Sequence, residues 1–295
     1  MTRNEVRTQP SPEEALPWQL PPRLAGAVYR AKRILPVGVW RTITTPYWWW
    51  YNRGQHQLAG ILSGDLRASR QELHALHNSR SGERCFILGN GPSLRNTDLS
   101  PLRHEFTVGL NRIYLLFPEL GFTTSCLVSI NTLVIQQCVE EIGKLAIPKF
   151  VTWRARHWLR GVPDTIFLDT DYTPPEAFAA DVTRRVFEGS TVTYVALQLA
   201  FHMGFRQVVL VGVDHRFGAQ GRPNATITST AGDMDHFSPD YFGPGFRWQL
   251  PDLEASERSY RLAREAYENA GRQVIDATVD GALDVFPKAN YGELF

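Results

Sequence analysis

From residue 84 onward the chain alternates between short apolar runs and segments of helical period. The runs are 84–88 (RCFIL), 106–110 (FTVGL), 126–130 (CLVSI), 149–153 (KFVTW), 165–168 (TIFL) and 207–213 (QVVLVGV), rich in β-branched or aromatic residues. Their apolarity is continuous rather than alternating, which suits strands covered on both faces. Strands interleaved with helices predict an α/β domain with a largely parallel sheet. Two helices are well marked. Val192, Val195, Ala196, Leu199, Ala200 and Met203 form one stripe, with Ser190 or Thr191 to cap it and Gly204 to end it. Leu253, Tyr260, Ala263, Tyr267 and Ala270 form the other, behind Asp252 as N-cap and Glu254 in the first turn. Upstream, Leu58, Ile61, Leu62, Leu66, Leu73 and Leu76 fall mostly three or four apart, interrupted at Gly64. Residues 78–82 read as a linker, and the proline-rich residues 1–22 as a disordered tail. The expected organisation is a tail over 1–22, a helical, basic and aromatic arm over 23–80, and a single α/β domain over 81–295.

Composition is ordinary for a globular chain of 295 residues, which excludes fibrous and wholly disordered classes. The formal net charge of +1 conceals an asymmetry, because no acidic residue occurs between Glu14 and Asp65. That stretch holds Arg23, Arg30, Lys32, Arg33, Arg41 and Arg53 beside Tyr47-Trp48-Trp49-Trp50-Tyr51. Such aromatics can pack onto the main domain. Alternatively, Arg and Lys beside Trp and Tyr suit an anionic membrane surface, so residues 23–60 are a candidate peripheral membrane contact. The basic residues are dispersed and accompany no nucleic-acid motif, so no nucleic-acid partner is expected. No run of about 18 apolar residues is present, and the N-terminus lacks a signal-peptide pattern, so the expected location is the cytoplasm. Cys85, Cys126 and Cys138 lack metal spacing, which fits a reducing compartment.

In an open α/β sheet, ligands bind beyond the carboxyl ends of the strands. The first apolar run is followed by Gly89-Asn90-Gly91-Pro92-Ser93. Glycines allow a tight turn and close approach to a ligand, and Pro92 suits the first turn of a helix whose free N–H groups favour an anion. The loop is neither a P-loop nor the dinucleotide fingerprint. Asn111 follows the second run and Asn131 the third. A carboxamide can read a base edge or a ribose hydroxyl, and it can equally cap a helix. Asp214 and His215 follow the Gly212-Val213 strand end, where a carboxylate can hold a ribose, a metal or merely a turn. His236, in the acidic loop Asp233-Met234-Asp235-His236, is a candidate general base whose tautomer a neighbour can fix. The triplets Asp169-Thr170-Asp171 and Asp233-Met234-Asp235 are candidates for holding a divalent ion on a diphosphate. Zinc spacing and a Gly-x-Ser-x-Gly hydrolase motif are absent.

Several of these segments are similar to known families: FILGNGPSL (86–94), VGLN (108–111), SIN (129–131) and the stretch 190–214. Together they resemble the MptE-like family, named for a 6-hydroxymethylpterin diphosphokinase, and the related bacterial sialyltransferases that use a CMP-activated sugar. The resemblance spans about residues 83–277 and implies a Rossmann-like, mainly parallel sheet with flanking helices. It implies a nucleotide held by Gly89, Asn90, Gly91, Pro92, Ser93, Asn111, Asn131, Ser190, Thr191 and Asp214, with His236-Phe237 as the base pair. The family's Thr-Ser-Gly is here Thr191-Val192-Thr193, and its phosphate-binding tyrosine pair is not matched. His215, Arg216 and Tyr241 are the candidates for that phosphate, Arg through its bidentate fork. The resulting expectation is a glycosyltransferase of surface-polysaccharide synthesis, with a nucleotide-activated sugar as donor, a small-molecule or glycan acceptor and no metal-binding residues assigned. The alternative is an ATP- and Mg²⁺-dependent pyrophosphoryl transfer using Asp214, Asp233 and Asp235. A third reading is a non-catalytic binding protein acting through the arm.

Overall fold

The structure, a computed structural model, describes residues 63–172, 177–218 and 221–295. The expected tail over 1–22 and the candidate membrane contact over 23–60 lie outside the described residues. The expected strands form at Arg84–Leu88 (β1), Phe106–Leu110 (β2), Cys126–Ser129 (β3), Lys149–Thr152 (β4), Thr165–Leu168 (β5) and Gln207–Val211 (β6). A seventh, Gln273–Asp276 (β7), completes one sheet in the order β7-β6-β1-β2-β3-β4-β5, parallel throughout. The domain is therefore α/β and Rossmann-like.

Alternate residues of one strand enter opposite halves of the core, as the pleat requires. On β1, Cys85 and Ile87 join the half built on helix Val192–Met203, whereas Phe86 and Leu88 join the half containing Ile135, Trp153 and Tyr241. Both faces are covered, which is why the runs are apolar at every position. Burial pushes the Cys126 thiol up to about 12 and the Cys85 thiol well above its ordinary range, so both are inert packing groups.

Helix Gly64–Leu76 (α1) begins at Gly64, where the sequence pattern suggested an interruption, because the Ser63 side chain caps it by accepting from Leu66 N. It covers the β5 edge of the sheet: Ser69 Oγ accepts a hydrogen bond from Phe167 N at 2.9 Å. The helix opening at Asn131 is short, Thr132–Gln137 (α2). Helices Val192–Met203 (α3) and Leu253–Asn269 (α4) have the caps expected, Thr191 and Asp252, and α3 ends at left-handed Gly204. No helix among the described residues is long and apolar enough to cross a membrane.

Candidate functional site

The chain builds β1 to β5 outward in one direction, then returns to place β6 on the other side of β1. The order reverses between β1 and β6, and the carboxyl ends of these two strands flank the crevice where open α/β sheets bind ligands. The residues from both sides are in direct contact there. Gly89 N donates to Val211 O at 2.8 Å and Gly91 N to Gly212 O at 2.9 Å. Asp214 then turns its carboxylate onto the β1 loop, accepting from Ser93 N at 3.1 Å and from Ser93 Oγ at 2.7 Å. A Cβ on Gly91 would run into that carboxylate, so glycine is needed here for space, its φ of −69° being ordinary.

This corrects one expectation. Pro92–Asn96 is a 3₁₀ turn rather than an α-helix, and its Ser93 N–H is already committed to Asp214. The loop thus carries its own anion. Burial raises the Asp214 pKa, opposed by the two Ser93 hydrogen bonds and the nearby Arg216 charge.

The three asparagines form a staggered row, following the ends of the adjacent strands β1, β2 and β3; continued, the register puts Asn90 opposite Asn111, and Asn131 two residues beyond Ser129, the partner of Asn111. Asn90 Oδ1 is buried and accepts no hydrogen bond among the described residues, while its carbonyl accepts from Phe237 N at 2.9 Å. Asn111 takes a left-handed φ of 46°, which Asn tolerates, and its Oδ1 accepts from Ser129 Oγ at 3.1 Å. Asn131 caps α2 through Oδ1, from Leu133 N at 2.9 Å and Val134 N at 3.4 Å. Asn131 is therefore a cap, and the amide nitrogens of Asn111 and Asn131 donate to none of the described residues.

The loop between β6 and α4 folds over this row. His236 is buried, its Nδ1 2.8 Å from Asp233 Oδ2, and its ring stacks on Tyr241 with centroids 4.0 Å apart. Phe242 and Trp248 meet the imidazole edge-on. With Nδ1–H donated to a carboxylate, Nε2 is left as the acceptor, and it has no partner among the described residues. Arg95, which sequence reasoning missed, straps the loop down by donating to the carbonyls of His236 and Phe237. The Asp233-Met234-Asp235 triplet serves the loop as well: Asp233 also accepts from Asp235 N, and Asp235 accepts from Gly218 N. No group of three or more metal-ligating side chains occurs among the described residues. Asp169 and Asp171 are ion-paired with Arg70 and Arg185.

The phosphate candidates are dispersed. His215 Nε2 lies 3.2 Å from Glu257 Oε1, and its ring meets Tyr260, whose hydroxyl is 3.3 Å from Thr191 Oγ1. Ser190 is exposed at a left-handed φ of 60°, and Arg216 is exposed beside Asp214. Tyr241 is placed otherwise than sequence suggested: it is 1% exposed, its Oη accepts from Arg112 N at 3.5 Å, and burial pushes its phenol well up. It walls the imidazole rather than facing an open space.

No family model matches the chain, and no curated protein is similar to it. Among solved structures, the chain is similar to that of the MAf glycosyltransferase from Magnetospirillum magneticum AMB-1, at 13% identity and a TM-score of 0.47 over 78% of this chain. The chain corresponds to 39% of that protein's length. A likeness at this level assigns no activity here.

Proposed function

We propose that the protein is a glycosyltransferase that takes a nucleotide-activated sugar as donor and transfers the sugar to an acceptor hydroxyl. The observation that carries this reading is the Asp233–His236 pair, with Nε2 free, seated directly on the Asn90 loop at the switch crevice. The orphaned Asn90 Oδ1 supports it: a buried acceptor without a donor costs about 1–3 kcal/mol, which a ribose hydroxyl or base amine would offset. The amide nitrogens of Asn111 and Asn131 are the next donors along the row.

In this mechanism His236 Nε2 removes the acceptor hydroxyl proton as that oxygen bonds to the anomeric carbon. The bond from that carbon to the nucleotide phosphate breaks, and the phosphate leaves with the electron pair. Asp233 holds the ring in the tautomer required and stabilises the imidazolium formed. The pyrophosphoryl alternative needs carboxylates free for metal, and Asp214, Asp233 and Asp235 are each engaged by the protein.

A thermal-shift panel of CMP, UDP, GDP and ATP, with and without Mg²⁺, tests the assignment. One nucleotide at 100 times its Kd should stabilise the fold by about 2.7 kcal/mol, and Asn90→Ala should reduce that shift. Stabilisation by ATP only with Mg²⁺, or by none of the four, would contradict it.

A further inference from the structure

Arg112 immediately follows Asn111, yet its side chain belongs to a different space. It is 8% exposed, and Nε donates to Tyr114 Oη at 3.4 Å. Nη1 donates to the carbonyls of Asp240 and Tyr241. Nη2 donates to none of the described residues, and none of their carboxylates lies within 4.0 Å of the guanidinium. The Phe246 and Tyr241 rings lie 5.2 and 5.8 Å away. Burying a cation is costly unless an anion meets it, and guanidinium is always charged.

Arg112 lines an open pocket of about 400 Å³, whose other walls are Gln137, Asp240, Phe246 and the 243–245 turn. Each wall is tied to the candidate site. Arg112 follows Asn111, Gln137 ends the helix that Asn131 caps, and Asp240 leads into Tyr241, on which His236 stacks. Tyr241 therefore touches both groups: its ring stacks on the imidazole and its carbonyl accepts from the guanidinium. Asp240, on the same wall, is suited to accept from sugar hydroxyls.

The geometry points to an anion-binding subsite at Arg112, occupied by the carboxylate or phosphate group of a sugar that is one of the two transfer substrates. That the occupant is a substrate rests on the proposed transferase reading; that it is an anion rests on Arg112 alone. The planar guanidinium matches either group through its outer nitrogen.

Titration of the full chain, without nucleotide, with glucose, glucuronate and glucose 6-phosphate separates these sources. At least one acid should bind about tenfold more tightly than glucose, the weight of one charge-assisted hydrogen bond, and the tighter one names the group. Arg112→Gln should abolish the preference. Because Arg112 also holds the carbonyls of residues 240 and 241, Gly243→Glu provides a second test. A Cβ at Gly243 meets nothing closer than 4.0 Å, so the variant adds a negative charge to the wall without disturbing those bonds. Its acid preference should fall as well, with glucose binding unchanged. Equal binding of glucose and both acids, or a preference that survives Gly243→Glu in a folded protein, would overturn the subsite. Neither result depends on turnover or nucleotide, so failure of the transferase reading would appear separately in the nucleotide panel.

Discussion

At the residue scale, the crevice is shaped by pairs that exclude alternatives. Gly91 and Asp214 are such a pair, since the carboxylate lies where a Cβ would be. Gly91→Ala should destabilise the fold by about 1–3 kcal/mol, as overpacking does. Asp214→Ala in the same chain should recover much of that loss, a non-additivity that urea unfolding of the two single variants and the double variant measures. Additive losses would show that the two residues are not in contact. The sequence showed this loop as a glycine-rich turn after a strand but gave both glycines to a ligand. Asp214 lies 123 positions further on, and only the return of β6 beside β1 brings it onto Gly91. The Asp233–His236 pair was half legible: a histidine among acids in one loop was visible, whereas which acid holds Nδ1 depends on how the loop folds. Arg95 and Arg112 gave no signal, because their partners are backbone carbonyls of residues 236, 237, 240 and 241.

At the element scale, α1 closes a sheet edge, where unpaired strand amides are a liability. Ser69→Ala leaves Phe167 N without its acceptor and should cost about 1–3 kcal/mol by thermal or urea unfolding, against no loss if water replaces the hydroxyl. The α1–α3 contact also carries a pH response. His202 Nε2 donates to Leu73 O at 2.8 Å, and its buried Nδ1 has no hydrogen-bond partner, with Asp181 Oδ1 at 3.6 Å and the His77 ring at 4.9 Å. Burial holds the His202 pKa below its ordinary 6.5. The unfolded chain then binds the proton more readily, so this contribution is present above about pH 6.5 and is lost as pH falls through the depressed folded value. His202→Gln, which keeps a donor for Leu73 O, should flatten the fall of unfolding free energy on acidification; an unchanged slope would assign it to other groups. The strands were legible because burial on both faces leaves continuous apolar runs. The helix expected after Pro92 is only the five-residue 3₁₀ turn Pro92–Asn96, whose free Ser93 amide is capped by a carboxylate distant in sequence.

At the scale of the whole molecule, sequence indicated parallel strands but not their order. The order is what makes a site: β6 beside β1 produces the switch, and the loop after β6 brings His236 over the row of asparagines. β7 escaped notice because Gln273–Asp276 is short and carries only Val274 and Ile275 as apolar residues. The central claim is that the His236 imidazole, poised by Asp233, takes a proton at this crevice. It is tested most directly by nucleotide release from the sugar donor in His236→Ala, with nucleotide Kd and Tm measured on the same protein. Turnover should fall by about 10²–10⁴-fold with nucleotide Kd unchanged, while Tm drops because a buried, paired ring is lost and the variant stays folded at the assay temperature; wild-type turnover in that variant would contradict the claim.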